Sequence, residues 1–483
     1  MKKLQMGIFL AVLCCLCSFI WTPAEMNAKT KAVSINSSNF TDKILRRKLS
    51  KKFDKNHDGV LSVKEIKQIK SINLSTPSLK RQNLNIKGIS KLKYITKLNL
   101  DTFAKIIGIK EIKKLNKLST LYIYADNRKL DTRKNKRLKK IGLEMPYLNK
   151  IYVNSKVENI SISYTNLKKL NFSNFKKIEK IKIDDNDKLL SVNLKNCNKL
   201  NKITINDNDR LLSINLKNCN KLKELSVTEA SKLKTLNLSK TKNIKSLDLE
   251  NVKIKKLNWF MLKKLAELYL IDMPDFKMKK SDWSVFRNLK GLYLRNMPNL
   301  ENFDGNVLTK MEELNVKGLK KLKLDVSKMK NMKSLLISEN KVMKDLDISL
   351  LTNLKELEWT KGVLENIRWA KNNQYEKIDV SNNKLSGSWD LCQFPKLSSF
   401  NCNNNKLEYI YARNHRCLHL LDCDNNRLKL IDLHQVEPIG FSCINNPNVV
   451  VRLWGPPLGD EVHIFDETAK VYYTDELFQK ENK

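Results

Sequence analysis

Apolar and polar residues alternate along this chain in short phrases that return at a nearly constant spacing. The clearest phrase is written twice: KIKIDDNDKLLSVNLKNCNKL at Lys180–Leu200 is followed by KITINDNDRLLSINLKNCNKL at Lys202–Leu222, with 17 of 21 positions identical. After an initial lysine, each copy has two isoleucines separated by one variable residue, as in Ile181, Lys182 and Ile183. Because side chains alternate between the faces of a strand, this pattern predicts short strands with two residues in a core and one facing outward.

The constant spacing predicts a solenoid. Self-similarity at an offset of about 20–29 residues, with Leu and Ile at set places, is typical of leucine-rich repeats, whose units must stack to bury their apolar faces. We expect an α+β repeat solenoid: a horseshoe of about sixteen short parallel strands with a helical N-terminal cap and a β-rich C-terminal cap. The expected strand cores are Leu98–Leu100, Leu121–Ile123, Ile151–Val153, Ile181–Ile183, Ile203–Ile205, Leu225–Val227, Leu247–Leu249, Leu268–Leu270, Leu292–Leu294, Leu314–Val316, Leu335–Ile337, Leu357–Trp359, Ile378–Val380, Phe400–Cys402, Leu421–Cys423 and Phe441–Cys443.

Other residues follow the same period. Asparagines three residues after many cores are expected to donate hydrogen bonds to backbone carbonyls of the neighbouring turn; they are Asn186, Asn208, Asn340, Asn383, Asn405, Asn426 and Asn446. A second apolar phrase about eleven residues after the core, such as Val192–Leu194, predicts extended segments on the convex side. Periodic cysteines are expected to be small buried hydrophobes, with disulfides or a metal site as alternatives; they are Cys197, Cys219, Cys402, Cys423 and Cys443.

A different motif, DKNHDGVLSVKE at Asp54–Glu65, precedes the repeats between two stretches of helical apolar spacing. It matches the calcium-binding EF-hand loop, in which Gly59 permits the sharp turn around the ion. The sequence therefore predicts one calcium site, with the single loop serving as a fixed structural clip more plausibly than as a signalling switch. The expected oxygen ligands are Asp54, Asn56, Asp58, the carbonyl of Val60, Ser62 and a bidentate Glu65.

The formal net charge of +40 favours polyanionic partners such as nucleic acid, anionic lipid, teichoic acid or acidic glycans. A solvated lysine surface is the alternative, and we expect no specific nucleic-acid partner. The cores at 121 and 151 are 30 residues apart, so about eight extra residues are expected between them, either as a flexible basic loop that binds a polyanion or as a solvated, partly ordered loop. Its cations are Arg128, Lys129, Arg133, Lys134, Lys136, Arg137, Lys139 and Lys140.

The residue between the two core positions of each strand should face the concave surface. Tyrosine recurs in this column, and acids gather toward its C-terminal end. Exposed tyrosine suits a protein or glycan contact surface, although tyrosine also favours strands in general. The residues expected to bind a partner are Tyr122, Tyr152, Tyr269, Tyr293, Glu358, Asp379 and Asp422. No recognised catalytic motif accompanies them, and we expect no enzyme activity.

The N-terminus predicts secretion. Met1–Ala28 has a basic start, an apolar run too short to span a bilayer comfortably, and small residues at Ala24 and Ala28 that suit cleavage. No later segment is apolar enough to cross a membrane. The expected organisation is a signal peptide at 1–28, a helical EF-hand-like cap at 29–72, leucine-rich repeats at 73–450 and a C-terminal cap at 451–483.

From Ile86 the sequence IKGISKLKYITKLNL follows the pattern I-x-G-I-x-x-L-x-x-L-x-x-L-x-L. With the signal segment and the EF-hand-like cap, the chain resembles the internalin-type, secreted bacterial leucine-rich repeat proteins over roughly residues 36–450. That resemblance implies adhesion and partner binding through the solenoid, without shared catalytic residues. The alternative function is a basic cell-envelope scaffold retained electrostatically on anionic wall polymers.

Overall fold

The computed structural model describes residues 30–76, 82–300, 303–371, 374–436, 438–454 and 462–473. The predicted signal peptide at 1–28 lies outside these ranges, and so do residues 455–461 and 474–483 of the predicted C-terminal cap. Over the described ranges the chain winds through successive turns. Each turn contributes one strand to a long parallel sheet, which we call the main sheet.

The main sheet has nineteen strands, each paired in parallel with the next one along the chain. In the described part of the chain no pairing joins the two end strands, so the sheet is open. These pairings confirm a leucine-rich repeat solenoid. The strands are Ser71–Ser75, Lys97–Asp101, Thr120–Tyr124, Lys140–Glu144, Asn159–Ser163, Lys180–Asp184, Lys202–Asn206, Glu224–Ala230, Ser246–Val252, Glu267–Ile271, Gly291–Arg295, Glu313–Lys317, Ser334–Ser338, Glu356–Thr360, Lys377–Asp379, Ser399–Asn401, Leu420–Asp422, Gly440–Ser442 and Val462–Ile464.

A second set of short strands, the back strands, occupies the later part of many repeats. Their apolar residues and those of the main sheet belong to one continuous core, so the core lies between the two sets. The expected extended segments are thereby confirmed. The back strands are Leu84–Asn85, Ile106–Ile107, Lys129–Asp131, Lys150–Tyr152, Lys169–Asn171, Ser191–Asn193, Ser213–Asn215, Thr235–Asn237, Asp345–Asp347, Asn366–Arg368, Ser386–Asp390, Lys406–Tyr411, Leu430–Asp432, Val450–Leu453 and Lys470–Tyr473.

Among the described residues, six short 3-10 helices occur: three follow a back strand, and three stand in repeats that have no back strand. The two at 259–261 and 280–285 each bury a tryptophan, Trp259 and Trp283, whose bulk fills the core where no back strand is present. The 3-10 helices are Ile89–Lys91, Ile109–Lys114, Trp259–Met261, Lys280–Val285, Gly305–Val307 and Leu391–Gln393.

The predicted strand register fails in one region. Ile151–Val153 was expected to form a main-strand core, but Lys150–Tyr152 pairs with the back strand Lys129–Asp131. Two main strands, Lys140–Glu144 and Asn159–Ser163, take its place. The expected long basic loop is therefore also wrong, because those residues form an ordinary repeat of about twenty residues. The error arose because the back strand Lys150–Tyr152 lies in a segment with the same alternation of apolar and polar residues as a main strand.

The asparagine prediction is confirmed. Asn426, for example, donates from Nδ2 to the carbonyls of Cys402 at 3.1 Å and Cys423 at 3.0 Å, while its Oδ1 accepts from the backbone nitrogen of Leu407. One buried amide thus satisfies three backbone groups that the strand pairing leaves open. The periodic cysteines are also buried and free, in two separate columns, because Cys197 and Cys219 lie after the back strands.

The N-terminal cap contains two α-helices, Lys43–Phe53 and Val63–Gln68. Asp42 caps the first helix by accepting from the nitrogens of Ile44 and Leu45. The helices bury Leu45, Leu49 and Ile66 on the first repeats, which covers the open apolar end of the solenoid. Val60–Leu61, in the loop between the helices, pairs antiparallel with Val33–Ser34.

Candidate binding face and calcium loop

The outward-facing residues of the main strands form continuous columns, because the parallel register places equivalent residues side by side. In the middle column Tyr269 is paired with Tyr293, and Tyr293 with Asn315. The rings of Tyr269 and Tyr293 stack, with centroids 4.2 Å apart and planes 3° from parallel. Both side chains are half-buried. The two rings make a rigid aromatic patch on this face.

Polar groups border this patch. The Tyr293 hydroxyl donates a hydrogen bond to the Glu313 carboxylate, and burial, reinforced by that carboxylate, raises the pKa of Tyr293 above its usual range. On the other side, Ser226 Oγ donates to Asp248 Oδ2 at 2.9 Å. Burial raises the pKa of Asp248 and of Tyr269. The tyrosines therefore stay neutral hydrogen-bonding groups up to strongly alkaline pH.

A depression of about 370 Å³ continues from the patch along the same face. Asn315, the register partner of Tyr293, lines it together with Leu336, Glu358 and Asp379. Burial and the neighbouring Asp379 raise the pKa of Glu358. The predicted residues Tyr269, Tyr293, Glu358 and Asp379 thus lie along one contiguous surface.

Asp422 extends this surface two strands beyond Asp379, since Asn401 pairs in register with both acids. Asn401 Nδ2 also donates to Asp379 Oδ2 at 3.3 Å. Partial burial, together with Asp424 and Asp379, raises the pKa of Asp422. The C-terminal part of the face is therefore acidic, within a chain whose net charge is strongly positive.

The remaining two predicted tyrosines lie elsewhere. Tyr122 is 41% exposed on the main sheet beside Gly142, where an added Cβ would lie only 2.5 Å from Tyr122 Cδ1. Tyr152 instead ends a back strand, and its ring is covered by Arg133 Cζ at 4.6 Å and Lys129 Nζ at 5.4 Å. The prediction that Tyr152 belongs to the outward column is wrong, because Ile151 is a back-strand residue.

Sequence reasoning missed two residues of the face, Glu313 and Arg295. Arg295 Nη2 lies 2.6 Å from Glu250 Oε1 and 2.7 Å from Asp272 Oδ2, so it links three repeats. Glu313 and Arg295 stand at the ends of their five-residue strands, whereas the prediction considered only the middle residue. The period of two applies to all three outward positions of a strand and would have included both.

The predicted calcium loop begins at Asp54, which is 2% exposed. Its Oδ2 accepts from the backbone nitrogen of Gly59 at 3.0 Å, whereas its Oδ1 is buried and has no hydrogen-bond partner among the described residues. Gly59 has a φ of 76°, the left-handed conformation that lets the loop turn back on itself. A buried carboxylate oxygen without a donor is a group that a bound cation would satisfy.

Glu65 makes a capping box at the start of the second helix. Its Oε2 accepts from the Ser62 nitrogen and hydroxyl, each at 2.8 Å, and its Oε1 accepts from the Lys55 nitrogen at 2.7 Å. The Lys55 N–H, followed by the Ser62 groups, lowers the pKa of Glu65. The ionised carboxylate needed for a cation is thus favoured, but its oxygens are shared with three donors.

Both carboxylate oxygens of Asp58 are also hydrogen-bonded. Asp58 Oδ1 accepts from the Val60 nitrogen and Oδ2 from Asn56 Nδ2, both at 2.8 Å. Within the described residues, Asp54, Asp58 and Glu65 do not converge to within 4.8 Å, whereas Asp184, Asp185 and Asp207 do. The carboxylates of the predicted calcium loop are therefore held by hydrogen bonds within the loop and do not converge on one point in this structure.

In the part of the chain that the structure describes, no helix is both long and apolar enough to cross a membrane.

Comparison with known proteins finds solved structures that are similar to the structure of this chain. No protein-family model matches the sequence, and no curated protein matches it. The functional domain of InlJ from Listeria monocytogenes, which includes a cysteine ladder, is similar at 18% identity over 87% of this chain and 77% of that chain, with a TM-score of 0.47. A leucine-rich repeat protein of Leptospira interrogans is similar at 16% identity over 86% and 95%, with a TM-score of 0.47. The internalin InlF from L. monocytogenes is similar at 17% identity over 83% and 94%, with a TM-score of 0.27.

Proposed function

We propose that this protein is a secreted or cell-surface binding protein, without catalytic activity, that recognises a protein or glycan partner along the outward face of its main sheet. The observation that carries the proposal is the contiguous surface from the stacked pair Tyr269 and Tyr293 to the depression lined by Glu358 and Asp379. The signal peptide predicted at 1–28 supports the extracellular location.

The physical chemistry of this surface suits recognition. Aromatic rings supply large contact area at a low cost in side-chain entropy, and rings already fixed by stacking lose less freedom on binding. The acids Glu358, Asp379 and Asp422 favour a partner that presents cationic or hydroxyl donors. A flat aromatic patch beside acidic and amide groups is suited to a basic protein surface or to a glycan.

The double variant Tyr269→Ser/Tyr293→Ser tests this face. Partners are first captured with the wild type from cell-surface and glycan preparations and then purified. We expect the double variant to bind each purified partner at least tenfold more weakly, measured as the Kd. Tyr409 and Tyr411 provide the matched control, because their rings also lie parallel, 6.3 Å apart, on a back strand. Equal losses in Tyr269→Ser/Tyr293→Ser and Tyr409→Ser/Tyr411→Ser, both folded, would reject the main-sheet face as the site.

We infer that calcium stabilises the N-terminal cap through the loop at Asp54–Glu65. The buried Asp54 Oδ1 without a donor and the left-handed Gly59 support this inference. The ligands would be Asp54, Asn56, Asp58, Val60, Ser62 and Glu65, with the ion replacing several of the present loop hydrogen bonds. Because the loop joins two helices that cover the end of the solenoid, the ion would serve stability.

Melting temperature with calcium and with chelator tests the inference. The wild type should melt higher in calcium, since binding to the folded state alone adds stability, and Glu65→Gln should abolish the difference. Asp185→Asn/Asp207→Asn tests the rival acidic cluster in the same assay. A calcium response that survives Glu65→Gln and disappears in the cluster variant would place the ion at the cluster and contradict the proposal.

A further inference from the structure

Six successive turns that lead into main strands share one shape. In each, the nitrogen of the fourth residue donates to the carbonyl of the first, as from Leu118 to Leu115 at 3.1 Å and from Leu200 to Cys197 at 3.1 Å. The third residue of every one of these turns is a cation. We call these residues the cation column: Lys117, Arg137, Lys156, Lys177, Lys199 and Lys221.

Backbone hydrogen bonds hold the column in line. Two residues after each cation, the backbone nitrogen donates to the equivalent carbonyl of the preceding repeat, as from Glu158 to Lys139 at 2.9 Å and from Glu179 to Glu158 at 2.7 Å. Adjacent strands lie about 4.8 Å apart, so the six positions extend over roughly 24 Å. The column is therefore a regularly spaced row of positive charge.

These charges are not neutralised by neighbours. Arg137, Lys156, Lys177, Lys199 and Lys221 are exposed, and Lys117 is partly covered where its Nζ lies 4.0 Å above the ring of Tyr94. Among the described residues, no carboxylate oxygen lies within 4.0 Å of any nitrogen of the six side chains.

The acids closest in sequence to the column are Glu158, Glu179 and Glu224. Glu158 is paired with Lys139 at 3.0 Å, and Glu224 with Lys202 at 2.6 Å. Glu179 is the one acid that lines a groove of about 610 Å³ at the C-terminal end of the column. The other groove residues are Lys199, Asn201, Lys221, Lys223, Asn243, Lys245 and Lys264.

The column is a feature of these six repeats and not of the fold. In the next eight repeats, from Asn243 to Lys396, the same turn position holds an amide or a lysine, and each lysine there is hydrogen-bonded to the amide before it. Lys264 Nζ lies 2.7 Å from Asn243 Oδ1, Lys310 Nζ 2.9 Å from Asn288 Oδ1, and Lys396 Nζ 3.0 Å from Gln374 Oε1. The position thus tolerates neutral residues, so the uninterrupted cations are not a requirement of packing.

We propose that the cation column is a binding site for a linear phosphodiester polymer without stacking bases, such as a polyol phosphate. Lysine acts as a flexible point charge that binds phosphate without the fixed bidentate geometry of arginine, so a row of lysines suits phosphates on a flexible chain. Proteins that hold single-stranded nucleic acid add aromatic platforms for the bases. In the column only Lys117 has an aromatic contact, and the ring of Tyr94 is already covered by that lysine.

The test uses the full chain and a poly(glycerol phosphate) of defined length as the probe. Lys177→Gln/Lys199→Gln/Lys221→Gln removes three adjacent column charges. Lys310→Gln/Lys330→Gln/Lys396→Gln is the matched control, because it removes equal charge from exposed turns outside the column and its groove. We expect the column variant to bind at least tenfold more weakly at low salt and the control within about twofold of wild type. The slope of log K against log salt should fall by about one for each lysine removed from the column.

Three results would overturn the proposal. Equal losses in the two triple variants would mean that total charge, and not the column, holds the polymer. An oligo(dT) of the same charge that binds the wild type more tightly than poly(glycerol phosphate) would assign the column to nucleic acid. No binding of poly(glycerol phosphate) by folded wild type at low salt would exclude the site. Circular dichroism of all variants confirms that each is folded before binding is compared.

Discussion

At the scale of the residue, the turn after most of the main strands places one residue in the left-handed region of the backbone. In fourteen successive repeats, from Tyr164 to Asn445, the residue at this place has a φ between 48° and 77°. Only glycine, asparagine and aspartate enter this left-handed region readily. Ten of the fourteen are Asn, Asp or Gly, and the exceptions are Tyr164, Glu229, Glu339 and Lys361. The preference for Asn and Asp at these turns is readable in the sequence, but the exceptions carry no such signal.

A second left-handed column follows the back strands, and it supports a stability prediction at Lys240. Asn174, Asn196 and Asn218 have φ values of 65°, 65° and 66°, and Lys240 continues the column at 62°. Asn218 Nδ2 donates to Asn196 Oδ1 at 2.6 Å, and Asn196 Nδ2 to Asn174 Oδ1 at 2.9 Å. Lys240→Asn should raise the free energy of unfolding by about 0.5–1 kcal/mol, because asparagine adopts this conformation at lower cost and extends the ladder.

Urea unfolding of Lys240→Asn against wild type measures this gain. Lys240→Ala is the control, since it removes the same charge and offers neither advantage. If the alanine variant gains as much stability as the asparagine variant, relief of charge repulsion and not backbone conformation is the cause.

At the scale of the element, fifteen of the nineteen main strands of the described chain were predicted, whereas the two end strands, Ser71–Ser75 and Val462–Ile464, and the register around Ile151 were not. The phrase at Ile181–Ile183 identified a main strand correctly, because both inward residues are at most 2% exposed. Ile151 carries the same alternation in a back strand, and a local pattern cannot distinguish the two sheets. The stacking of Tyr269 on Tyr293 was also beyond prediction, since it depends on the register of two strands 24 residues apart.

Charged residues at the start of main strands join neighbouring repeats, and Glu312 gives the clearest case. Its carboxylate lies 2.6 Å from Lys290 Nζ and 2.7 Å from Lys333 Nζ, one repeat away on either side. These two lysines lower the pKa of Glu312 from 4.5 to about 2. Because the folded-state pKa is lowered, the stabilisation is present above about pH 4.5 and is lost as the pH falls toward 2.

We therefore expect Glu312→Gln to lower the free energy of unfolding by about 0.5–1 kcal/mol at pH 7 in low salt, a magnitude limited by solvent screening. The difference from wild type should begin to shrink below about pH 4.5. Glu224→Gln is the control, since Glu224 has one lysine partner, Lys202 at 2.6 Å, and should lose less. A pH-independent loss at Glu312 would show that the bridge to the two lysines is not responsible.

At the scale of the whole molecule, the stability of a solenoid is the sum of its repeats and of the interfaces between neighbours. The duplicated phrase offers a direct test, because Lys180–Asp184 and Lys202–Asn206 pair in register with each other. Their back strands, Ser191–Asn193 and Ser213–Asn215, pair in the same way. Deletion of residues 180–201 removes 22 residues, one full repeat, and joins Glu179 to Lys202. Lys202 then takes the place of Lys180, whose nitrogen donates to the Glu158 carbonyl.

This deletion should leave a folded protein that unfolds cooperatively, since every new neighbour is nearly identical to the one it replaces. The enthalpy of unfolding should fall by about 15 kcal/mol, from roughly 0.7 kcal/mol per residue for 22 residues, as measured by calorimetry. Deletion of residues 180–190 is the control, because it removes the main strand Lys180–Asp184 and leaves its back strand Ser191–Asn193. One repeat then contributes a back strand without a main strand, which disrupts the register between neighbouring repeats. If the half-repeat deletion is as stable as the full-repeat deletion, then a stable repeat does not require one main strand together with its back strand.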